Sequence, residues 1–134
     1  MKKSSRRSGF ILAAVLTGAV LLPLVGASRD YAASAAPREI RLIARDMAFY
    51  LEGRDEPNPT LKVRAGEQLR LVMRNEMAGM AHDLVITPWQ VQTPMLQKKG
   101  EEAVVSFRVP DRAGTVTYRC TPHAEMMRGS ISIE

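Results

Sequence analysis

From Arg38 to its last residue this chain places apolar residues at every second position in short runs, and no window sustains the 3.6-residue period of a helix. The segments 40–44, 61–63, 68–73, 84–86, 104–109, 115–118 and 130–133 read as strands. In the third of these, Leu69, Leu71 and Met73 alternate with Arg70, Val72 and Arg74, the pattern of a half-buried antiparallel strand. Turn residues separate the runs: Pro57-Asn58-Pro59, Ala65-Gly66-Glu67 and the stretch from Pro110 to Gly114. Many short strands with such punctuation predict an all-β fold, a Greek-key β-sandwich or barrel of about seven to eight strands. Residues 87–103, with Trp89, Pro94 and Met95, fit neither period and are expected to form a long connection in which Trp89 packs against the core.

Ahead of this domain the text is of another kind. Residues 1–9 are polar and basic, and Phe10 opens an apolar run to Ala27 that small residues follow, the order of a secretory signal. Arg6-Arg7 with Phe10 close behind resembles a twin-arginine signal, although one extra residue separates them. Cleavage is expected after Ala27 or Ala35; uncleaved, the run is just long enough to anchor the chain as a membrane helix. The expected organisation is therefore a signal or anchor with an Ala-rich linker in 1–36 and one domain in 37–134, exported and periplasmic or otherwise extracytoplasmic. Membrane contact is expected only if the N-terminal segment is retained.

Charge excludes one class of partner. The net charge is +5, but 1–36 hold five of the 19 basic residues and one of the 14 acidic ones, leaving 14 against 13 for the domain. A near-neutral domain has no electrostatic footprint for nucleic acid.

A single cysteine, Cys120, rules out an intramolecular disulfide and leaves a free thiol in an exported protein. Most unpaired cysteines are small core side chains, but the surroundings of this one are unusual. The segment from Cys120 to Met127 brings a thiol, the imidazole of His123 and two thioethers, Met126 and Met127, into eight residues. The only other histidine, His82, follows Met77 and Met80. Thiolate and thioether favour Cu(I), imidazole suits both oxidation states, and two His, one Cys and a weak axial Met are the donor set of electron-transfer copper sites. Structural zinc sites need four strong ligands at paired spacings, which this chain lacks. A C-x-x-C-H haem motif is absent too. Cysteine catalysis would need an oxyanion-binding loop, and no Gly-rich one is visible.

Tyr118 to His123, followed by Met127-Arg128-Gly129-Ser130-Ile131, resembles the C-terminal copper loop of the small cupredoxins, the group of plastocyanin, amicyanin and pseudoazurin. Asn75 and His82-Asp83 resemble the segment that supplies this family's first histidine. The resemblance implies one copper ion cycling between Cu(I) and Cu(II), with His82, His123 and Cys120 as ligands and a methionine as axial ligand. Counting from the second histidine selects Met126, but placement before Gly129, which opens the last strand, selects Met127, and Met127 is the expected ligand because the glycine fixes where the strand resumes while loop length varies. Asp83 stands where the family usually has Asn, and an added carboxylate there is expected to lower the reduction potential. The expected function is one-electron transfer between redox partner proteins that dock near His123, by a monomer that is not an enzyme. The alternative is copper storage or delivery through the methionine-rich loops.

Overall fold

The computed structural model describes residues 36–134; the expected signal or anchor helix, its cleavage sites and most of the linker lie outside the described residues. The described residues form nine strands in two sheets. In chain order they are β1 (Arg38–Arg45), β2 (Ala48–Leu51), β3 (Thr60–Val63), β4 (Gln68–Asn75), β5 (Val85–Ile86), β6 (Val91–Gln92), β7 (Glu102–Arg108), β8 (Gly114–Arg119) and β9 (Arg128–Ile133). The first sheet runs β2-β1-β4-β7 and the second β3-β9-β8-β5-β6. Two pairs are parallel, β1 with β4 and β3 with β9, and the remaining neighbours are antiparallel. The all-β sandwich expected from the alternation is present.

The core lies between the sheets. Leu42, Leu69, Leu71 and Met73 meet Leu61, Leu84, Tyr118, Ile131 and Ile133, with Phe49 and Tyr118 in tilted ring contact at 5.5 Å. Burying each such side chain contributes about 1.5–3 kcal/mol. The outer face of the first sheet is polar but not bare: Val72 is buried there, opposite Arg41 and among Glu39, Arg41, Arg70 and Glu102, whose side chains form a chain of ion pairs.

Two strands lie outside the seven runs read from the alternation. β2 is joined to β1 by Asp46 and Met47, both at positive φ (50° and 57°), a two-residue hairpin of the type that matches strand twist. β6 lies inside the expected long connection. There Thr87–Trp89 makes one 3₁₀ turn, Gln90 reverses the chain at φ 54°, and Val91–Gln92 return to pair with β5. Trp89 packs on the core and against Phe107, as expected.

Tyr118 sets the approach of β8 to β9. Its ring covers Gly129, where any Cβ would collide with the phenol, and its hydroxyl donates to the Pro59 carbonyl at 2.7 Å. Glycine at 129 is required by that close approach.

Candidate metal centre

β8 ends at Arg119, so Cys120 is the first residue of the loop that returns to β9. The loop is closed at its base by Cys120 N–H donating to the Met127 carbonyl (2.9 Å), and within it Met127 N–H donates to the His123 carbonyl (2.8 Å). This winding turns Cys120 and Met127 into the core, both fully buried, and leaves Met126 54% exposed.

His82 arrives from the other direction. The segment after β4 is pinned by Asn75, fully buried, whose side-chain amide donates to the Met80 carbonyl (2.9 Å) while its oxygen accepts from Met77 N–H (2.9 Å). His82 then bridges to Leu96 through two main-chain hydrogen bonds, His82 N–H to Leu96 O at 2.9 Å and Leu96 N–H to His82 O at 2.8 Å. Thus the connection 87–103 braces a candidate ligand.

The result is convergence. Cys120 Sγ lies 3.7 Å from His82 Nδ1 and 3.6 Å from His123 Nδ1, and the three donor atoms all lie within 4.8 Å of one another. The two imidazoles face each other at 4.9 Å between centroids. Three donors around an ion of first-row size, at about 2.0–2.3 Å each, stand about 3.5–4 Å apart, so the spacing fits a shared metal ion.

The electrostatics agree with that fit. Burial, and then His123 beside it, hold the His82 imidazole below its usual pKa and keep it neutral, the form in which imidazole ligates. The nitrogen it turns to Cys120 is Nδ1, while Nε2, the other ring nitrogen, is buried with no hydrogen-bond partner among the described residues. Burial pushes the Cys120 thiol up, against the opposing pull of the Asp83 and His123 main-chain N–H groups. A thiolate in this position needs a cation to compensate its burial.

Asp83 joins the two halves. Fully buried, it accepts from Thr121 N–H (2.6 Å) and Thr121 Oγ1–H (2.7 Å), and from Gln92 at 3.3 Å. Its carboxylate therefore fastens the His82 segment to the residue after Cys120. Asn58 does the same from the β2–β3 turn: at φ 51°, it donates from Nδ2 to the Met126 carbonyl (2.8 Å) and accepts from Phe49 N–H (3.1 Å). The sequence marks Asn58 only as a turn residue, and neither its reach to the loop nor the part of Thr121 is visible there.

Residues 56–134 match the profile of the copper binding proteins of the plastocyanin/azurin family. No curated protein sequence gives a significant match. Among solved structures, the fold is similar to auracyanin A, a blue copper protein from the green thermophilic photosynthetic bacterium Chloroflexus aurantiacus, at 19% identity over 73% of this chain and 99% of that one, with a TM-score of 0.58. A variant of amicyanin in its reduced Cu(I) form is 28% identical over 77% of this chain and 89% of its own, with a TM-score of 0.50. The McoA multicopper oxidase from the hyperthermophile Aquifex aeolicus is 17% identical over 72% of this chain, but over only 26% of its own length, with a TM-score of 0.58. The same fold thus also occurs as part of an oxidase.

Proposed function

The chain belongs to the plastocyanin/azurin family of copper-binding proteins, and from that premise we propose that it is an exported one-electron carrier in which His82, Cys120, His123 and Met127 would hold the copper ion. The observation that carries this reading is the convergence of one thiol and two imidazoles within 4.8 Å at the end of a β-sandwich. Bound there, copper supplies a one-electron couple, Cu(I)/Cu(II), for which this mixed donor set suits both states.

The protein's part is to hold the donors still. Asn75 fixes the approach to His82, Asp83 fastens that approach to Thr121, and the Cys120–Met127 hydrogen bond fixes the loop base. Donors held in place before and after the electron moves keep the rearrangement small, which favours fast transfer. His82, Cys120 and Met127 are fully buried and exclude water, while His123 is partly exposed and offers the route to the surface. Redox partners dock around it, where Pro122 and Met126 are exposed. Met127 would supply the methionine ligand, because it is the interior member of the methionine pair. The buried acid nearest the donors, Asp83, is engaged by Thr121 and Gln92 and is not free for proton transfer, which favours a carrier over an enzyme. The signal-like N-terminus supports export, with the domain acting as a monomer outside the cytoplasm.

One equivalent of Cu(II) added to the purified protein should produce an intense thiolate-to-copper absorption and a reversible one-electron wave, and the metal should resist a Cu(I) chelator. Absence of the absorption sinks the site; rapid loss of Cu(I) to the chelator replaces the carrier with copper delivery.

A further inference from the structure

The two sheets carry their charge differently. On the first sheet arginines and glutamates alternate, and Glu39, Arg41, Arg70 and Glu102 neutralise one another. The strands of the second sheet contain no acidic residue, and their basic residues are Lys62, Arg119 and Arg128. Lys62 is answered by Glu134 at 3.7 Å. Among the described residues Arg119 and Arg128 form no ion pair with any carboxylate, Glu125 of the adjoining loop included.

These two arginines are direct partners across the β8–β9 ladder, and both are exposed. Neighbouring Tyr118 and Gly129 face inward, so alternation turns both arginines to the outer face. The Cβ atoms of directly opposite residues on a sheet stand about 5 Å apart, and like charges on such a pair destabilise it. A nearly neutral domain therefore keeps an unneutralised cationic pair at one place. That place is the foot of the metal loop: Arg119 precedes Cys120 and Arg128 follows Met127.

We propose that Arg119 and Arg128 form the recognition site for an acidic redox protein, whose clustered carboxylates seat on the pair while its redox group faces the loop above. The inference rests on the electron-carrier reading and specifies the chemistry of the partner. Carboxylates of the partner relieve the repulsion that the free protein carries, so complementarity contributes to both encounter rate and register. Thr117 and Ser130, the next cross-strand pair, offer hydroxyls beside the arginines and no opposing charge.

Hexaglutamate titrated into the full copper-loaded chain in its Cu(I) state should shift the amide resonances of Thr117, Arg119, Arg128 and Ser130 first. In a kinetic assay one electron leaves the Cu(I) protein and reduces hexacyanoferrate(III) to hexacyanoferrate(II). Arg119→Gln combined with Arg128→Gln should slow this roughly three- to tenfold at low ionic strength and flatten its salt dependence. Arg112→Gln, which removes one charge away from the loop, should leave the rate near that of the parent. Oxidation by the cationic tris(phenanthroline)cobalt(III) should not slow. A purely structural pair would give the opposite stability result, since Arg128→Gln alone should preserve or raise thermal stability by relieving the repulsion. Resonance shifts that are absent or lie elsewhere overturn the proposal, as does a double variant with the parent rate and salt dependence. Loss of the copper-thiolate absorption would count against the carrier reading alone, because the hexaglutamate map reports the surface whether or not the site is blue.

Discussion

At the scale of single residues, Asp83 is where this chain departs most consequentially from its family's usual Asn. Its carboxylate is buried against Thr121, one residue from Cys120, and a fixed negative charge there stabilises the higher oxidation state of any metal the loop holds. Asp83→Asn keeps an oxygen that can accept from Thr121 N–H, so the link to the loop survives while the charge is removed. The midpoint potential should rise, and spectroelectrochemical titration of the copper-loaded variant checks it; a fall or no change would remove Asp83 from the set of tuning residues. The two methionines separate in the same experiment. Met127→Leu should alter both the absorption spectrum and the potential, whereas Met126→Leu, at a side chain more than half exposed, should leave the spectrum unchanged. Both thioethers have ligand spacing in the sequence, where only the placement before Gly129 favours Met127. Burial separates them, and burial depends on how the loop winds.

At the scale of elements, the strands legible in the sequence are those whose pleat matches an interior and an exterior, such as β4 with Leu69, Leu71 and Met73 inside. What escaped reading has local causes. The β1–β2 hairpin turns at Asp46-Met47 without the glycine that normally signals positive φ, and β6 is two residues long, too short to show a period. The brace from Leu96 to His82 is made by main-chain atoms, which side-chain identity does not reveal. Gly129 was legible as the start of a strand, but its reason was not, because the ring lying on it belongs to the neighbouring strand. Gly129→Ala should force Tyr118 off its seat and cost about 1–3 kcal/mol, as overpacking of a filled interior does. Urea unfolding of the apo protein measures this, and an unchanged midpoint would show that the ring can yield.

At the scale of the whole molecule, stability carries a pH dependence set by surface carboxyls at acid pH and by His82 nearer neutrality. Arg38 beside Glu67, Arg41 beside Glu39, and the Lys98 and Gln97 main-chain N–H groups at Glu101 hold these carboxyls below the usual range. Groups with depressed folded pKa values contribute stability above their unfolded pKa, and that contribution is lost as pH falls through the folded value. The urea midpoint of the apo protein should therefore decline gently from about pH 6.5, as the unfolded chain protonates His82 while burial keeps the folded imidazole neutral, and further below about pH 4 as these carboxyls protonate. A midpoint that held or climbed through that acid range would show that these pairs contribute nothing. The sandwich and the three converging donors were readable because alternation and ligand chemistry are written in residue types. The ties through Asn58 and Thr121 were not, since they depend on which distant turns the packing brings together. The parallel seam of β3 with β9, which sets Thr60 against Ser130 70 positions away, has a temporal meaning. Closing so long a span is entropically demanding, and the strand that closes it is also one leg of the loop bearing Cys120, His123 and Met127. A growing polypeptide thus has no finished socket until β9 has been made and paired, so the onset of blue colour during refolding with Cu(II) should report the docking of that strand.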